Sequence, residues 1–275
     1  MKIRSLSNIL YFPLFVIALG IFYFTYGDNT NSFIWIFAPI VLIIAIYVGQ
    51  SQIDYWWLTR NPVPLEAPIK NWLSRFGVFY NSLDDQQQEE YEHRLSNYLF
   101  AREFSLVGKS EKRDLPEDIK AIIASQAINL TFGQDDYLLD DYDRIFLYAH
   151  PFPSPQFQFL HTLEAEHNDK VLILSLDHAV HGVVKPTEHY NIALHAYAEA
   201  FMHVNPTKEF PEVHQEGWEP VEAVLGMTKT FILNTCGFEV VDLKAVHIVS
   251  YFTDKEKYRQ LCPLPAAEFE RIFKL

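Results

Sequence analysis

The sequence predicts an α+β domain, with more helix than strand and a small sheet, preceded by a two-helix transmembrane hairpin. Three observations carry this expectation. Two uncharged apolar runs, at 9–26 and 33–48, fill most of the first fifty residues. Segments with apolar residues at helical spacing dominate the remainder of the chain. Between those segments stand a few short runs rich in β-branched residues and leucine, with no internal repeat. At 275 residues the chain can bury one sizeable core and still carry an appendage.

The hairpin comes first, over residues 1–50, with helices expected at about 9–26 and 33–49. A bilayer core takes about 20 helical residues, so the second run needs its flanks to reach across. No small-residue cleavage site follows the first run and the second comes at once, which argues against a cleaved signal peptide. The connecting loop, 27–32, lacks Lys and Arg. Lys2 and Arg4 precede the hairpin, and Arg60 and Lys70 follow it. The positive-inside rule then places both ends in the cytoplasm. The expected location is a bacterial-type inner (plasma) membrane, multi-pass, with the soluble domain cytoplasmic. Residues 51–64 form a juxtamembrane linker, in which Tyr55, Trp56 and Trp57 fit an interfacial anchor and Asn61-Pro62-Val63-Pro64 a stiff exit.

The soluble domain spans 65–275. Residues 82–100 read as a helix, with Ser82 as its cap and Leu83, Tyr91, Leu95, Tyr98 and Leu99 as its apolar stripe. A short strand at 104–107 precedes a helix at 115–130, which has Pro116 at its start and Gly133 just beyond its end. An acidic loop, 135–143, matches no calcium-binding spacing and reads as a solvated loop. A strand follows at 144–148, residues 156–160 alternate weakly, and 170–176 read as another strand. Helices are expected at 188–206, 221–235, 243–252 and 265–273.

Composition excludes several functions. The net charge is −13, and almost all of the acidity lies beyond residue 50, so nucleic acid is not an expected partner. Gly totals only 10, and no phosphate-cradling loop or GxSxG elbow is present. The two cysteines, Cys236 and Cys262, have no metal-site spacing and imply no disulfide framework. Eleven histidines are scattered along the chain; His150, His161, His167 and His178 read as surface or hydrogen-bonding residues.

The chemistry gathers at 188–206. Ile192, Leu194, Tyr197, Ala198 and Phe201 recur at helical spacing, and His195, Glu199 and His203 lie four residues apart on one face. Side chains at i and i+4 of a helix are what an HExxH motif uses to hold zinc, with the motif glutamate as general base. The frame here is His195-Ala196-Tyr197-Ala198-Glu199. Ala196 stands at the base position and Glu199 at the second histidine. His195 and Glu199 either hold a metal or hydrogen-bond each other. A third ligand would come from His203, His181, His189 or His247. His203 lies two turns from His195, about 12 Å along the axis, which suits a partner of Glu199 better than a co-ligand of His195.

Several stretches resemble the Mlc titration factor A (MtfA) family of zinc peptidases, over roughly residues 79–273. They are Tyr80-Asn81-Ser82-Leu83 with Arg94 to Phe104, Ile122-Ile123-Ala124-Ser125-Gln126-Ala127, Ile145 to Phe152, Val171 to Asp177, and Asn191-Ile192-Ala193-Leu194-His195. The resemblance implies a mostly helical, zincin-like metallopeptidase domain with zinc as cofactor, two motif histidines and a downstream glutamate as ligands, and the motif glutamate as base. Carried over, these positions fall on His195, Glu199, Ser250 and Ala196, so three of the four are changed. The resulting expectation is a membrane-anchored MtfA-like protein that has lost peptidase chemistry and binds a peptide or protein, with residues 170–176 as the sheet edge that would receive it. The alternatives are an active zinc metallopeptidase with an altered ligand set centred on His195 and Glu199, and a structural membrane scaffold.

Overall fold

The computed structural model describes residues 6–25, 31–61, 63–108, 115–139, 142–213 and 217–274. The chain divides into two units, 1–64 and 65–275.

In the first unit, helix α1 (Leu6–Thr25) runs 20 residues without a charged side chain. At 1.5 Å per residue it is about 30 Å long, the thickness of a bilayer core. Among the described residues it is the one helix long and apolar enough by itself to cross a membrane. The second apolar run differs from the expected span. It forms a 3₁₀ turn (Asn31–Ile36) and a 12-residue helix, α2 (Phe37–Val48), which reaches only about 18 Å. Helix α3 (Gln50–Arg60) follows, and segments 34–48 and 52–60 meet at 72°. Gly49 and the polar residues after it end the apolar run. α3 packs against α1 and α2. Ser7 donates to Asp54 through both its backbone N–H and its hydroxyl, each at 2.9 Å. The Arg60 guanidinium lies 4.4 Å from the ring centre of Trp56. Lys2, Arg4, loop residues 27–30 and Pro62 lie outside the described residues.

The second unit opens with two helices not expected from the sequence, α4 (Ala67–Phe76) and the single turn α5 (Val78–Asn81). Helix α6 (Asp85–Ala101) is capped by Asp84, which forms a reciprocal capping box with Gln87. Ser82 is therefore not the cap; its hydroxyl bonds the Phe79 carbonyl at 2.7 Å. Strand β1 (Glu103–Val107), helix α7 (Glu117–Thr131) and strand β2 (Arg144–Tyr148) lie close to their expected positions. Residues 140 and 141 of the acidic loop lie outside the described residues.

Strands β3 (Leu163–Glu166) and β4 (Val171–Ser175) complete a sheet of order β1-β2-β4-β3. β1, β2 and β4 run parallel and β3 is antiparallel to β4. This corrects the expectation that 170–176 forms an edge. β4 is paired on both sides, and its unbroken Val-Leu-Ile-Leu run is what an interior strand needs. The edges are β1 and β3, and the sequence of β3, Leu-Glu-Ala-Glu, hides it from a hydrophobic pattern. Glu164 is nonetheless buried, bonded to the buried His161 at 3.0 Å.

Helix α8 (Leu176–Val184) starts directly from β4 and leads to α9 (Ile192–Val204). Ile192, Ala193, Leu194, His195, Ala196, Tyr197, Ala198, Ala200 and Phe201 are all buried. The four alanines let neighbours approach closely, and α9 packs against α7, α8, β3, β4 and α12 (Leu243–Thr253). The single helix expected at 221–235 is two, α10 (Trp218–Leu225) and α11 (Lys229–Cys236). Gly226 breaks it with φ +69°, a backbone that side-chain-bearing residues disfavour. Helices α13 (Lys255–Leu261) and α14 (Pro263–Phe273) close the chain, and Tyr251, Tyr258, Phe269 and Phe273 form an aromatic cluster between them and α12.

Candidate functional site

The site is built on α9. Asn191 caps the helix by accepting from Leu194 N–H at 2.9 Å, and its amide donates to Gln126 on α7 at 2.9 Å. The cap fixes where the helix begins, and hence the rotation of His195 and Glu199 one and two turns later. His195 is fully buried, while the Glu199 side chain is 22% exposed.

His195 Nε2 lies 3.2 Å from Glu199 Oε1, and His195 Nδ1 lies 2.7 Å from the Tyr190 hydroxyl. Burial pushes the Tyr190 phenol well above its usual range, with Cys236 and Glu199 adding to the effect. The phenol therefore keeps its proton. A carboxylate only accepts, so Nε2 carries a proton toward Glu199. In the neutral ring Nδ1 is then the acceptor, and Tyr190 donates to it. The result is a continuous chain, Tyr190 O–H to His195 Nδ1 and His195 Nε2–H to Glu199, in which neither imidazole nitrogen is free.

The other candidates are engaged elsewhere. Ala196 is fully buried and offers only a methyl group. Ser250 is also buried, and its hydroxyl turns back onto the Val246 carbonyl of its own helix at 3.0 Å. The His203 ring stacks on His167, with centres 4.2 Å apart and planes within 6°, and His167 Nδ1 lies 2.5 Å from the Tyr142 hydroxyl. His181 and His189 sit beside each other. His247 Nδ1 meets the Tyr258 hydroxyl at 2.8 Å, and its Nε2 meets the Gly217 carbonyl at 3.2 Å.

A catalytic zinc needs about three protein donors, an open position and a base. Among the described residues, no group of three or more His, Cys, Asp or Glu is placed to hold a metal ion. At the positions that the resemblance carries over, His195 and Glu199 bond each other, Ser250 bonds its own helix and Ala196 offers only a methyl group, so these residues as placed do not fit a three-donor zinc site.

Tyr190 and Gln126 were missed as site residues by sequence reasoning. A tyrosine just before a helix cap gives no periodic signal, although Asn191 at the cap position does.

His247 has a consequence for stability. Burial holds its imidazole below the usual histidine range, against the pull of the Gly217 carbonyl. The fold thus prefers the neutral ring, whereas the unfolded chain titrates near pH 6.5. The stability this confers is complete above about pH 6.5 and is lost as pH falls from there through the depressed folded value. The melting temperature is expected to drop between about pH 7.5 and 5, and to drop less in His247→Gln. Equal drops in the two proteins would show that His247 is not a source of the acid sensitivity.

The geometry is thus a small mixed sheet, a buried helix packed against its antiparallel edge strand, and a histidine–carboxylate pair at i and i+4 on that helix. The family model for glucose-regulated metallo-peptidase M90 matches residues 54–216, more than half of the chain, and the chain belongs to that family, the MtfA family that its sequence resembles. The match starts and stops earlier than the resemblance over 79–273, so Ser250 lies outside it. A search of the curated proteins found no match.

Proposed function

We propose that this family member is membrane-anchored and acts by binding a peptide or protein, its peptidase chemistry having been lost. The observation that carries this is the closed chain Tyr190–His195–Glu199 beside Ala196. A water nucleophile has no base there, and loss of a general base alone costs on the order of 10²–10⁴ in rate. The surface proposed for the partner is the outer edge of β3, whose backbone would pair with an extended segment. The residue just before that edge is already engaged, because Thr162 N–H donates to the Cys236 carbonyl at 3.0 Å, so the contact would be short.

The test uses the full chain in detergent with an unstructured protein substrate. Cleavage is expected to be no faster than in His195→Ala, with or without chelator. Chelator-sensitive cleavage that disappears in His195→Ala would overturn the reading and favour the altered-ligand metallopeptidase.

The anchoring we propose is a two-pass hairpin with both ends in the cytoplasm. α1 supports the first pass. The Ser7–Asp54 bonds support the return, since they tie the start of α1 to a residue beyond α2. Single cysteines introduced at residues 2, 29 and 63 report the topology. Residues 2 and 63 are expected to label from one side of the membrane and residue 29 from the other. Residues 2 and 63 on opposite sides would exclude the hairpin.

A further inference from the structure

Two stretches of the second unit are almost free of charge. Residues 145–163 contain no Asp, Glu, Lys or Arg, and residues 230–241 contain only Glu239, in a chain that is 21% charged. The fold brings them together. Residues 152–161 form a closed hairpin, in which Phe152 and His161 exchange backbone hydrogen bonds at 2.9 and 3.0 Å and the Ser154 hydroxyl accepts from Phe157 N–H at 3.0 Å. The end of α11 lies against it. The Thr162 hydroxyl donates to the Thr235 carbonyl at 2.8 Å. A Cβ at Gly237, whose φ is +82°, would stand 2.6 Å from both the Leu160 carbonyl oxygen and His161 Cα, so this approach needs glycine.

The two stretches meet through aromatic rings. The Phe157 ring centre lies 5.1 Å from Phe238 and 5.6 Å from Phe159, and Phe159 lies 5.5 Å from Phe238. Around this base Phe159, Leu160 and Val240 are 48%, 64% and 70% exposed. Single exposed apolar residues are ordinary, but an apolar cluster at the surface marks a contact. The hairpin is held by its own bonds and by Pro153 and Pro155, so it presents these side chains with little ordering cost.

Connectivity and charge indicate what covers the cluster. Helix α1 has the length and composition of a bilayer span, and only residues 61–66 join α3 to α4. A bilayer entered by α1 is therefore at high effective concentration for the second unit. The cytoplasmic leaflet is anionic, and the chain carries a net charge of −13, so its acidic faces are repelled from that surface. The uncharged aromatic stretch is the face that can enter the interface, where buried apolar area supplies the attraction. We infer that Phe159, Leu160 and Val240 dock on the lipid surface and insert into the boundary between headgroups and acyl chains. The inference rests on the membrane anchoring proposed above.

The experiment reconstitutes the full chain in phosphatidylcholine–phosphatidylserine vesicles that contain a lipid with a nitroxide quencher near its headgroup. A fluorophore is attached to a single introduced cysteine, in Ile17→Cys, Glu89→Cys or Val240→Cys; Cys236 and Cys262 are buried. Ile17 lies on α1 and reports anchoring, and the exposed Glu89 on α6 is the control. Quenching is expected at positions 17 and 240 and not at 89. The double variant Phe159→Asp/Leu160→Asp should lose the quenching at 240 and keep it at 17. Both substituted residues are exposed, so its melting temperature, checked alongside, is expected to match that of wild type. Added salt should preserve or strengthen the quenching at 240, because it screens the repulsion and leaves apolar contact intact. Quenching at 17 without quenching at 240 would overturn the inference and leave the anchoring standing. In that case a fluorophore at 240 that is shielded from water yet unquenched would assign the cluster to a protein partner. Quenching at neither position would overturn both readings. Quenching at 240 that disappears in high salt, or that survives the double variant, would also overturn the inference.

Discussion

Gly182→Ala is expected to destabilise the domain by about 1–3 kcal/mol, the usual cost of forcing extra atoms into a packed site. In a domain of this size that is a fall in melting temperature of about 2–4 °C per kcal/mol. Gly182 lies inside α8, where alanine is intrinsically the better residue by about 1 kcal/mol. Helix propensity alone therefore predicts a rise. The structure predicts the opposite, because a Cβ at this position would stand 2.4 Å from the Tyr190 carbonyl oxygen and 2.8 Å from Asn191 Cα. Both are backbone atoms, so no side chain can swing aside. The chain has to move at the two residues that set up the site, the hydroxyl donor to His195 and the cap of α9. Thermal melting of wild type and variant decides the sign, and an unchanged or higher melting temperature would show that α8 and the α9 approach are not locked together.

The parts of this fold that are legible in the sequence are those whose information is local. α7, β2, α9, α12 and α14 each carry a period or a capping residue that survives inspection of a few neighbours. The resemblance to the MtfA family is legible too, since it rests on ordered stretches between Tyr80 and His195. What escapes depends on partners far along the chain. β3 is hidden because Glu164 breaks the apolar pattern, and its burial is tolerable because partners outside the strand, the buried His161 among them, bond its carboxylate. The expectation that β4 is an edge comes from analogy with the family, whereas its unbroken apolar run is that of an interior strand. The break at Gly226 is lost inside a convincing apolar period. At the site, His195, Ala196 and Glu199 are visible by spacing alone. Tyr190 is not, because its role depends on where the loop before α9 carries a phenol, not on any repeat. Ser250 illustrates the same limit. Its position in the chain emerges by resemblance, but that its hydroxyl is spent on the Val246 carbonyl is a property of the folded helix.

Asn191→Ala is expected to cost about 2–4 kcal/mol, the larger of the two effects. Losing an N-cap side chain costs about 0.5–2 kcal/mol. Asn191 does more than cap. It is buried, and its amide satisfies Gln126 on α7 while its carbonyl oxygen satisfies Leu194 N–H. Alanine leaves two buried polar groups without a partner, at about 1–3 kcal/mol for each fully desolvated group. Gln126 keeps its own donation from Nε2 to the Ser125 hydroxyl at 2.9 Å, so the atom that loses its partner is the Gln126 Oε1 acceptor. Asn191→Ser separates the contributions. Serine keeps an oxygen for the cap but offers a shorter reach to Gln126, so its cost should fall between wild type and alanine. The first turn of α9 carries His195, so fraying there should also loosen the bond to Tyr190. That loosening is read separately from stability, as a change in the imidazole ¹⁵N resonances of His195 under conditions where the variant remains folded. A variant within about 0.5 kcal/mol of wild type, the range of an ordinary surface substitution, would mean that α9 is positioned by its apolar packing and not by this residue. The link from Asn191 through α9 to the histidine–glutamate pair would then have to be abandoned.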